Sequence, residues 1–232
     1  MTEQEFISKL HEHNIELTPK MIDDFRCYFE LISEYNKVMD LTSVDSKEEV
    51  YDRHFYNSLK IAFNKDFNDV IFADVGAGAG FPSIPLKIVF PNMKLTIIDP
   101  LKKRMRFLEM VIEKLNLSDV TLEVNRVEDV SIKYKERFDI VAARAVARLN
   151  ILTELVCQIV KVNGTFIAMK GINGDIELNE AKNALEVCNF VLDKREPSEE
   201  SINFYFTKLK HTNSKYPRVY SKIKGAPLWE AN

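Results

Sequence analysis

The segment Ile71-Phe72-Ala73-Asp74-Val75-Gly76-Ala77-Gly78-Ala79-Gly80-Phe81-Pro82 places an acid and three alternating glycines directly after an apolar run. That order reads as a strand, a glycine-rich turn and the start of a helix. Glycine lets a backbone turn tightly and approach a ligand, while the first N–H groups of the helix point toward it. The dinucleotide fingerprint sets its third glycine three residues after the second. Here that position is Phe81, and the third glycine comes one residue early, at Gly80. The alternative is a purely structural turn in which Asp74 caps a backbone.

A carboxylate at position 74 gives no advantage to a pyrophosphate. It suits a cofactor with a positive end, such as the ammonium and sulfonium of S-adenosylmethionine. The order acid, any residue, Gly, any, Gly, any, Gly resembles motif I of class I methyltransferases. Asp99 closes the next strand-like run, Leu95 to Asp99, and neighbouring strands would bring it to the same sheet edge, where an acid accepts both ribose hydroxyls of an adenosine cofactor. This feature serves NAD equally well. Lys102-Lys103-Arg104-Met105-Arg106 then reads as the solvated first turn of a helix whose apolar side is Met105, Leu108, Ile112 and Leu115.

Further on, Arg126, Val127, Glu128 and Asp129 lie in the loop after a third strand. Class I methyltransferases commonly meet the adenine amino group there with an acid, so either Glu128 or Asp129 serves, and both also suit a helix N-terminus. The fourth strand ends at Ala143-Arg144-Ala145-Val146-Ala147. Enzymes that methylate exocyclic amines usually carry an Asn/Asp-Pro-Pro-aromatic tetrapeptide at this place, and those that methylate pyrimidine carbon use a cysteine. Neither is present. An acceptor nitrogen such as guanine N7 needs no proton removed, and the fork of Arg144 is suited to orienting guanine O6 or a phosphate.

These residues need a scaffold, and the apolar periodicity supplies one. Thr18 before Pro19 is a helix start, followed by Ile22, Phe25, Phe29 and Ile32 on one stripe. A second helical stretch runs from Lys47 toward Phe63. From Val70 onward, strand-like runs (Val70 to Val75, Lys94 to Asp99, Thr121 to Val124, Phe138 to Ala143, Gly164 to Met169) alternate with helical ones near Ile84 to Phe90, Lys102 to Leu117 and Ile151 to Val160. A further helix is expected over Ile176 to Cys188, then a hairpin of Phe190 to Lys194 and Ile202 to Leu209. Beta-alpha alternation implies an α/β fold with a mostly parallel sheet and helices on both faces. The expected division is a helical region over residues 1–66 and a Rossmann-like domain over 67–232.

The chain has 232 residues, 46% of them hydrophobic, with a net charge of -3. Charges interrupt every apolar stretch, so no membrane span or signal peptide is expected. Cys27, Cys157 and Cys188 lie far apart without metal-ligand spacing, which reads as three reduced thiols in a cytoplasmic protein with no metal. The segment 208–224 carries Lys208, Lys210, Lys215, Arg218, Lys222 and Lys224 and no acid, so it is +6 while the rest is −9. Such a tail suits an anionic partner, or serves as a solvated edge that discourages aggregation.

Nearly the whole chain resembles one family, the bacterial small-subunit ribosomal RNA guanine-N7 methyltransferases known as RsmG or glucose-inhibited division protein B. The matching motifs are Tyr35-Asn36 with Leu41-Thr42, Arg53-His54 with Ser58-Leu59, Asp74 to Pro82, Ala143 to Ala147, Met169-Lys170-Gly171 and Lys215-Tyr216-Pro217-Arg218. The resemblance implies a seven-stranded class I methyltransferase sheet and S-adenosylmethionine contacts by Gly76, Phe81, Val127, Glu128 and Arg144, with Asp74, Gly78, Gly80 and Asp99 around them. It implies RNA contacts by Arg126 and Arg218, to which the basic tail adds Lys215 and Lys222. The implied reaction is N7 methylation of a guanine in 16S ribosomal RNA, guanine 527 in the family's pattern, on RNA alone, the small subunit or an assembly intermediate. The chain departs from the family at Asn57, where Asp is common, and at Val127, where Ala is common. An NAD(P)-dependent oxidoreductase would need Gly at 81 and a proton donor at the sheet edge. A non-catalytic RNA-binding protein would keep the tail without needing Asp74 and Asp99. His54, alone within a helix, reads as structural.

Overall fold

The computed structural model describes residues 1–39, 42 and 46–229. Leu41, one of the family-like residues, lies outside them. Helices come first: α1 (Glu3–Glu12), α2 (Pro19–Met39), α3 (Lys47–Glu49), a π-helical segment (Val50–Tyr56), α4 (Asn57–Leu59) and a 3-10 turn (Lys60–Phe63). Alternation follows, with β1 (Ile71–Val75), α5 (Ser83–Val89), β2 (Lys94–Ile98), α6 (Lys102–Lys114), β3 (Val120–Glu123), β4 (Phe138–Arg144), α7 (Leu149–Val156) and β5 (Val160–Gly171). The chain then forms α8 (Gly174–Glu180), α9 (Lys182–Val187), β6 (Phe190–Pro197), β7 (Ser201–Lys208) and α10 (Tyr220–Gly225). The strands form one seven-stranded sheet in the order β3-β2-β1-β4-β5-β7-β6. Pairing is parallel for β2 with β3, β1 with β4 and β4 with β5, and antiparallel where β7 inserts between β5 and β6. The mostly parallel sheet is the α/β fold expected from the alternation, its antiparallel edge is the expected hairpin, and the seven strands are what the family resemblance implies.

The chain divides into two compact units, Met1–Asp69 with Ala77–Val124, and Val70–Gly76 with the described residues from Asn125 onward. In the first unit, the helical N-terminus therefore groups with β2, α6 and β3. Thr18 caps α2 as expected, its hydroxyl accepting from Met21 N at 3.3 Å. The apolar stripe of α2 contributes Phe25 to an aromatic core in which Phe6 meets Phe25 at 5.1 Å and Tyr51 at 5.3 Å. Glu3 ties three elements together, taking the fork of Arg26 on α2 together with Lys47 and the Tyr51 hydroxyl.

In the second unit, β1 and β4 set Asp74 opposite Ala142 and Val75 opposite Ala143, which fixes the ends that carry the site. The Ile71 N–H donates to Asp139 Oδ2, and Lys161 holds the other oxygen of that carboxylate at 2.5 Å. Three sequence expectations shift here. The helix expected over Ile151 to Val160 stops at Val156, because Val160 already pairs with Phe138 in β5. The helix expected over Ile176 to Cys188 divides at Ala181, whose N–H turns back to both Glu177 and Leu178 carbonyls. Lys208, placed by sequence at the head of a solvated basic run, has no exposed surface. Its ammonium donates to the Cys157 and Val160 carbonyls at 2.7 and 2.9 Å and meets Glu136 at 3.2 Å.

Candidate functional site

The glycine turn leaves β1 in conformations that need glycine. Gly76, Gly78 and Gly80 have φ of 73°, 60° and 104°, all in the region an L side chain rarely adopts. Space adds a second constraint at two of them. A Cβ on Gly76 would lie 2.6 Å from Val146, and one on Gly80 would lie 2.6 Å from Ile84 and 2.7 Å from the Tyr28 hydroxyl. That hydroxyl donates to the Ala79 carbonyl at 2.5 Å, so α2 pins the turn from below. At Gly78 a Cβ would meet nothing within 4 Å, which leaves the backbone open to close approach by a ligand. Phe81, buried at the turn's end, stacks on His54 at 4.5 Å. His54 Nε2 in turn lies 2.6 Å from the Thr42 hydroxyl, so the ring is built into the packing beneath the turn.

Asp74 is fully buried on β1. Asp99, directly after β2, is also buried, and its Oδ1 accepts from the Leu101 N–H at 2.8 Å. Its Oδ2 is 3.6 Å from Arg104 Nη1, an ion pair too long for a hydrogen bond. The half-exposed Arg104 thus covers an oxygen that a pair of ribose hydroxyls can take by displacing it. The sequence had placed Arg104 only on a solvated helical turn.

In the loop after β3, Val127 is buried, and Arg126 and Asp129 are exposed. Glu128 settles differently from Asp129. Its Oε1 is buried and meets no hydrogen-bond donor among the described residues. Burial pushes its carboxyl above the ordinary range. A buried acceptor without a donor is costly to leave alone, and an exocyclic amine would satisfy it. Within the second unit, Glu128 Oε1 is therefore an acceptor of the kind that an adenine amine would fit.

Arg144 is the last residue of β4, opposite Met169 on β5 and partly exposed. Ala145 turns the chain with φ 56°, Val146 packs toward Gly76, and the Ala147 carbonyl accepts from Lys170 Nζ at 2.5 Å. Lys170 also pairs with Glu177 at 2.7 Å, and burial lowers its affinity for the proton. The sequence flagged Lys170 as part of a motif without a role. The structure gives it one, fixing the turn that follows Arg144.

The basic tail separates into two populations. Lys208 is internal, as described above. Arg218, expected to face RNA, spreads its fork onto the fully buried Glu154 of α7, with Nε to Oε1 at 2.8 Å and Nη2 to Oε2 at 2.6 Å, and its own N–H adds 2.9 Å to Oε1. In this geometry it anchors the tail. Lys210, Lys215, Lys222 and Lys224 remain exposed. Downstream, Tyr220 carries the Arg126 guanidinium over its ring at 4.7 Å, and Trp229 lies 6.0 Å from that of Arg148. Glu154 and Tyr220 were missed by sequence reasoning, since pairing across 64 residues leaves no local signal. Asn57, the departure from the family pattern, keeps its Oδ1 buried without a donor among the described residues.

Residues 21–203 match the family profile described as GidB, rRNA small subunit methyltransferase G. A ribosomal RNA small subunit methyltransferase G from Bacillus cytotoxicus is 47% identical over 94% of this chain and 95% of its own length. One from Lysinibacillus sphaericus is 45% identical over the same shares. Among solved structures, TYW2 of M. jannaschii in complex with AdoMet superposes with a TM-score of 0.54 at 16% identity, over 68% of this chain and 77% of that one. A SAM-dependent methyltransferase from Aquifex aeolicus gives 0.56 at 16% identity, over 73% and 97%. At that identity the structural likeness speaks to the fold alone.

Proposed function

This chain belongs to the rRNA small subunit methyltransferase G family, and from that premise we propose that it methylates N7 of a guanine in 16S ribosomal RNA, guanine 527 in the family's pattern. It is an S-adenosylmethionine-dependent rRNA methyltransferase. The end of β4 carries the assignment to N7: Arg144 is followed by Ala145, Val146 and Ala147, with no acid, thiol or imidazole in the run. N7 holds its lone pair in the ring plane and has no proton to lose, so the protein needs no base there. When bound, the cofactor supplies an electrophilic methyl group. The residues align: Arg144 orients the base or the cofactor through charge-assisted hydrogen bonds, and Arg126 steadies the RNA. In the first unit Gly78, Gly80 and Phe81 give the cofactor a bed, and in the second Asp74 and Gly76 end β1 with a carboxylate suited to its cationic end. Asp99 takes the ribose, and Glu128, with the backbone of Val127, takes the adenine. The naked RNA and an assembling small subunit both present such a guanine, and the exposed tail lysines suit the phosphates of either. Mass spectrometry of 16S rRNA from cells with and without the gene tests the assignment. Methyl groups on an exocyclic amine would overturn it.

Asp99→Ala should weaken S-adenosylhomocysteine binding by about 1.5–3 kcal/mol, the usual worth of hydrogen bonds to a charged acceptor. Calorimetry decides, and either unchanged affinity or measurable NAD binding counts against the site. Affinity for RNA should fall steeply with salt, by a slope of about −0.7 for each phosphate contact on single strands. Lys215→Ala with Lys222→Ala should flatten that slope by about 1.4 and leave cofactor affinity intact. An unchanged slope would return the tail to a solubilising role.

A further inference from the structure

Two partners compete for the guanidinium of Arg126. On one side is the ring of Tyr220, 4.7 Å from the guanidinium carbon. On the other is Glu128 Oε1, 4.0 Å from Nη1 and therefore beyond hydrogen-bond length. An arginine beside a carboxylate ordinarily closes to a short, charge-assisted bond, and more strongly where the carboxylate is buried. Here it does not close, although Glu128 Oε1 has no other donor among the described residues. Tyr220 is itself placed from outside. It is the first residue of α10, two residues after Arg218, whose side chain and backbone N–H are locked onto Glu154.

We infer that Tyr220 is a positioning residue whose ring holds Arg126 off Glu128, keeping the buried carboxylate oxygen open to the cofactor's exocyclic amine and the guanidinium at the surface for RNA. The inference rests on the reading of Glu128 given above. It goes beyond that reading by making the C-terminal segment part of the cofactor site's upkeep. Removing the ring lets the cation fall onto Glu128, where it replaces the amine as donor. The same collapse withdraws a positive charge from the RNA face. Cation–π attraction needs the ring and not the hydroxyl, so phenylalanine should serve as well as tyrosine.

The experiment is S-adenosylhomocysteine affinity by calorimetry for the wild type and for Tyr220→Ala, Tyr220→Phe, Arg126→Ala, Glu128→Ala and the Tyr220→Ala/Arg126→Ala pair. Tyr220→Ala should bind about tenfold more weakly, the scale of one charge-assisted hydrogen bond forfeited. Tyr220→Phe should bind like the wild type. Arg126→Ala should also bind the cofactor product normally while losing RNA affinity. The decisive variant is the pair, which should regain wild-type affinity because no cation is left to collapse. A ring needed only for packing would leave the pair as weak as Tyr220→Ala, and that result overturns the inference, as does full affinity in Tyr220→Ala. Weak binding by Glu128→Ala with normal binding by Tyr220→Ala overturns the inference and spares the adenine reading. Normal binding by Glu128→Ala overturns both.

Discussion

Arg144→Lys should lower single-turnover methyl transfer by about 100-fold with cofactor and RNA saturating. The figure follows from what the residue is asked to do: a misplacement on the order of 1 Å in an aligned reaction costs about that much, equivalent to about 2.7 kcal/mol of barrier. An ammonium carries the charge of a guanidinium but not its planar fork. The turn behind Arg144 is held by Lys170 on the Ala147 carbonyl and by Val146 against Gly76, so its backbone stays put when the side chain changes. The loss should then fall on the rate and not on protein stability. Because guanidinium groups stay protonated across the neutral range, the wild-type profile should be nearly flat from mildly acidic to mildly alkaline pH. A rate within about threefold of wild type for Arg144→Lys removes the residue from the alignment role. A bell-shaped profile traced to His54, or to the exposed His211 that pairs with Glu136, would identify a general base instead.

Arg218→Ala should destabilise the fold by about 3 kcal/mol, the low end for breaking a buried ion pair from one side. The low end applies because Arg218 is partly exposed while Glu154 has no exposed surface at all. The deletion leaves the Glu154 carboxylate in the interior with three donors gone, two from the guanidinium and one that depends on the tail staying seated. For a chain of this size the melting midpoint should drop by about 6–12 °C, read by scanning calorimetry. Glu154→Ala/Arg218→Ala should recover part of the loss, since it removes the stranded charge. A single Arg218→Ala that melts like the wild type would mean that the pair contributes nothing, and the residue would return to the RNA-contact role expected from its sequence context.

The contrast between these two arginines shows where sequence reading stops. Arg144 was legible because it sits in a local pattern, a strand end followed by small residues, and such a pattern carries its own geometry. Arg218 also sits in a motif, but its partner lies on α7, and nothing near Glu154 marks it as a buried acid. Lys208 was misplaced for the same reason. It stands in a basic run, yet as the last residue of β7 it is opposite Phe190 and turned inward to two carbonyls. Alternation and period identified every strand of the described residues: the central ones, buried on both faces, leave continuous apolar runs, while the edge strands β3 and β6 are largely exposed. Boundaries moved where pairing decided them, as at Val160, and at Ala181 no glycine or proline marks the break. The glycine turn was legible as a turn that needs glycine, while the burial that separates Glu128 from Asp129 is something neighbouring acids in a loop do not reveal.

Trp229 is the chain's single tryptophan, half-exposed and placed beside Arg148 at the end of the C-terminal segment. Selective excitation of indole therefore addresses one ring, and its emission belongs to that segment alone. An indole beside a guanidinium and an indole in free water emit with different intensity and colour. The protein thus carries its own optical gauge, which reads the seating of its last turn without any label.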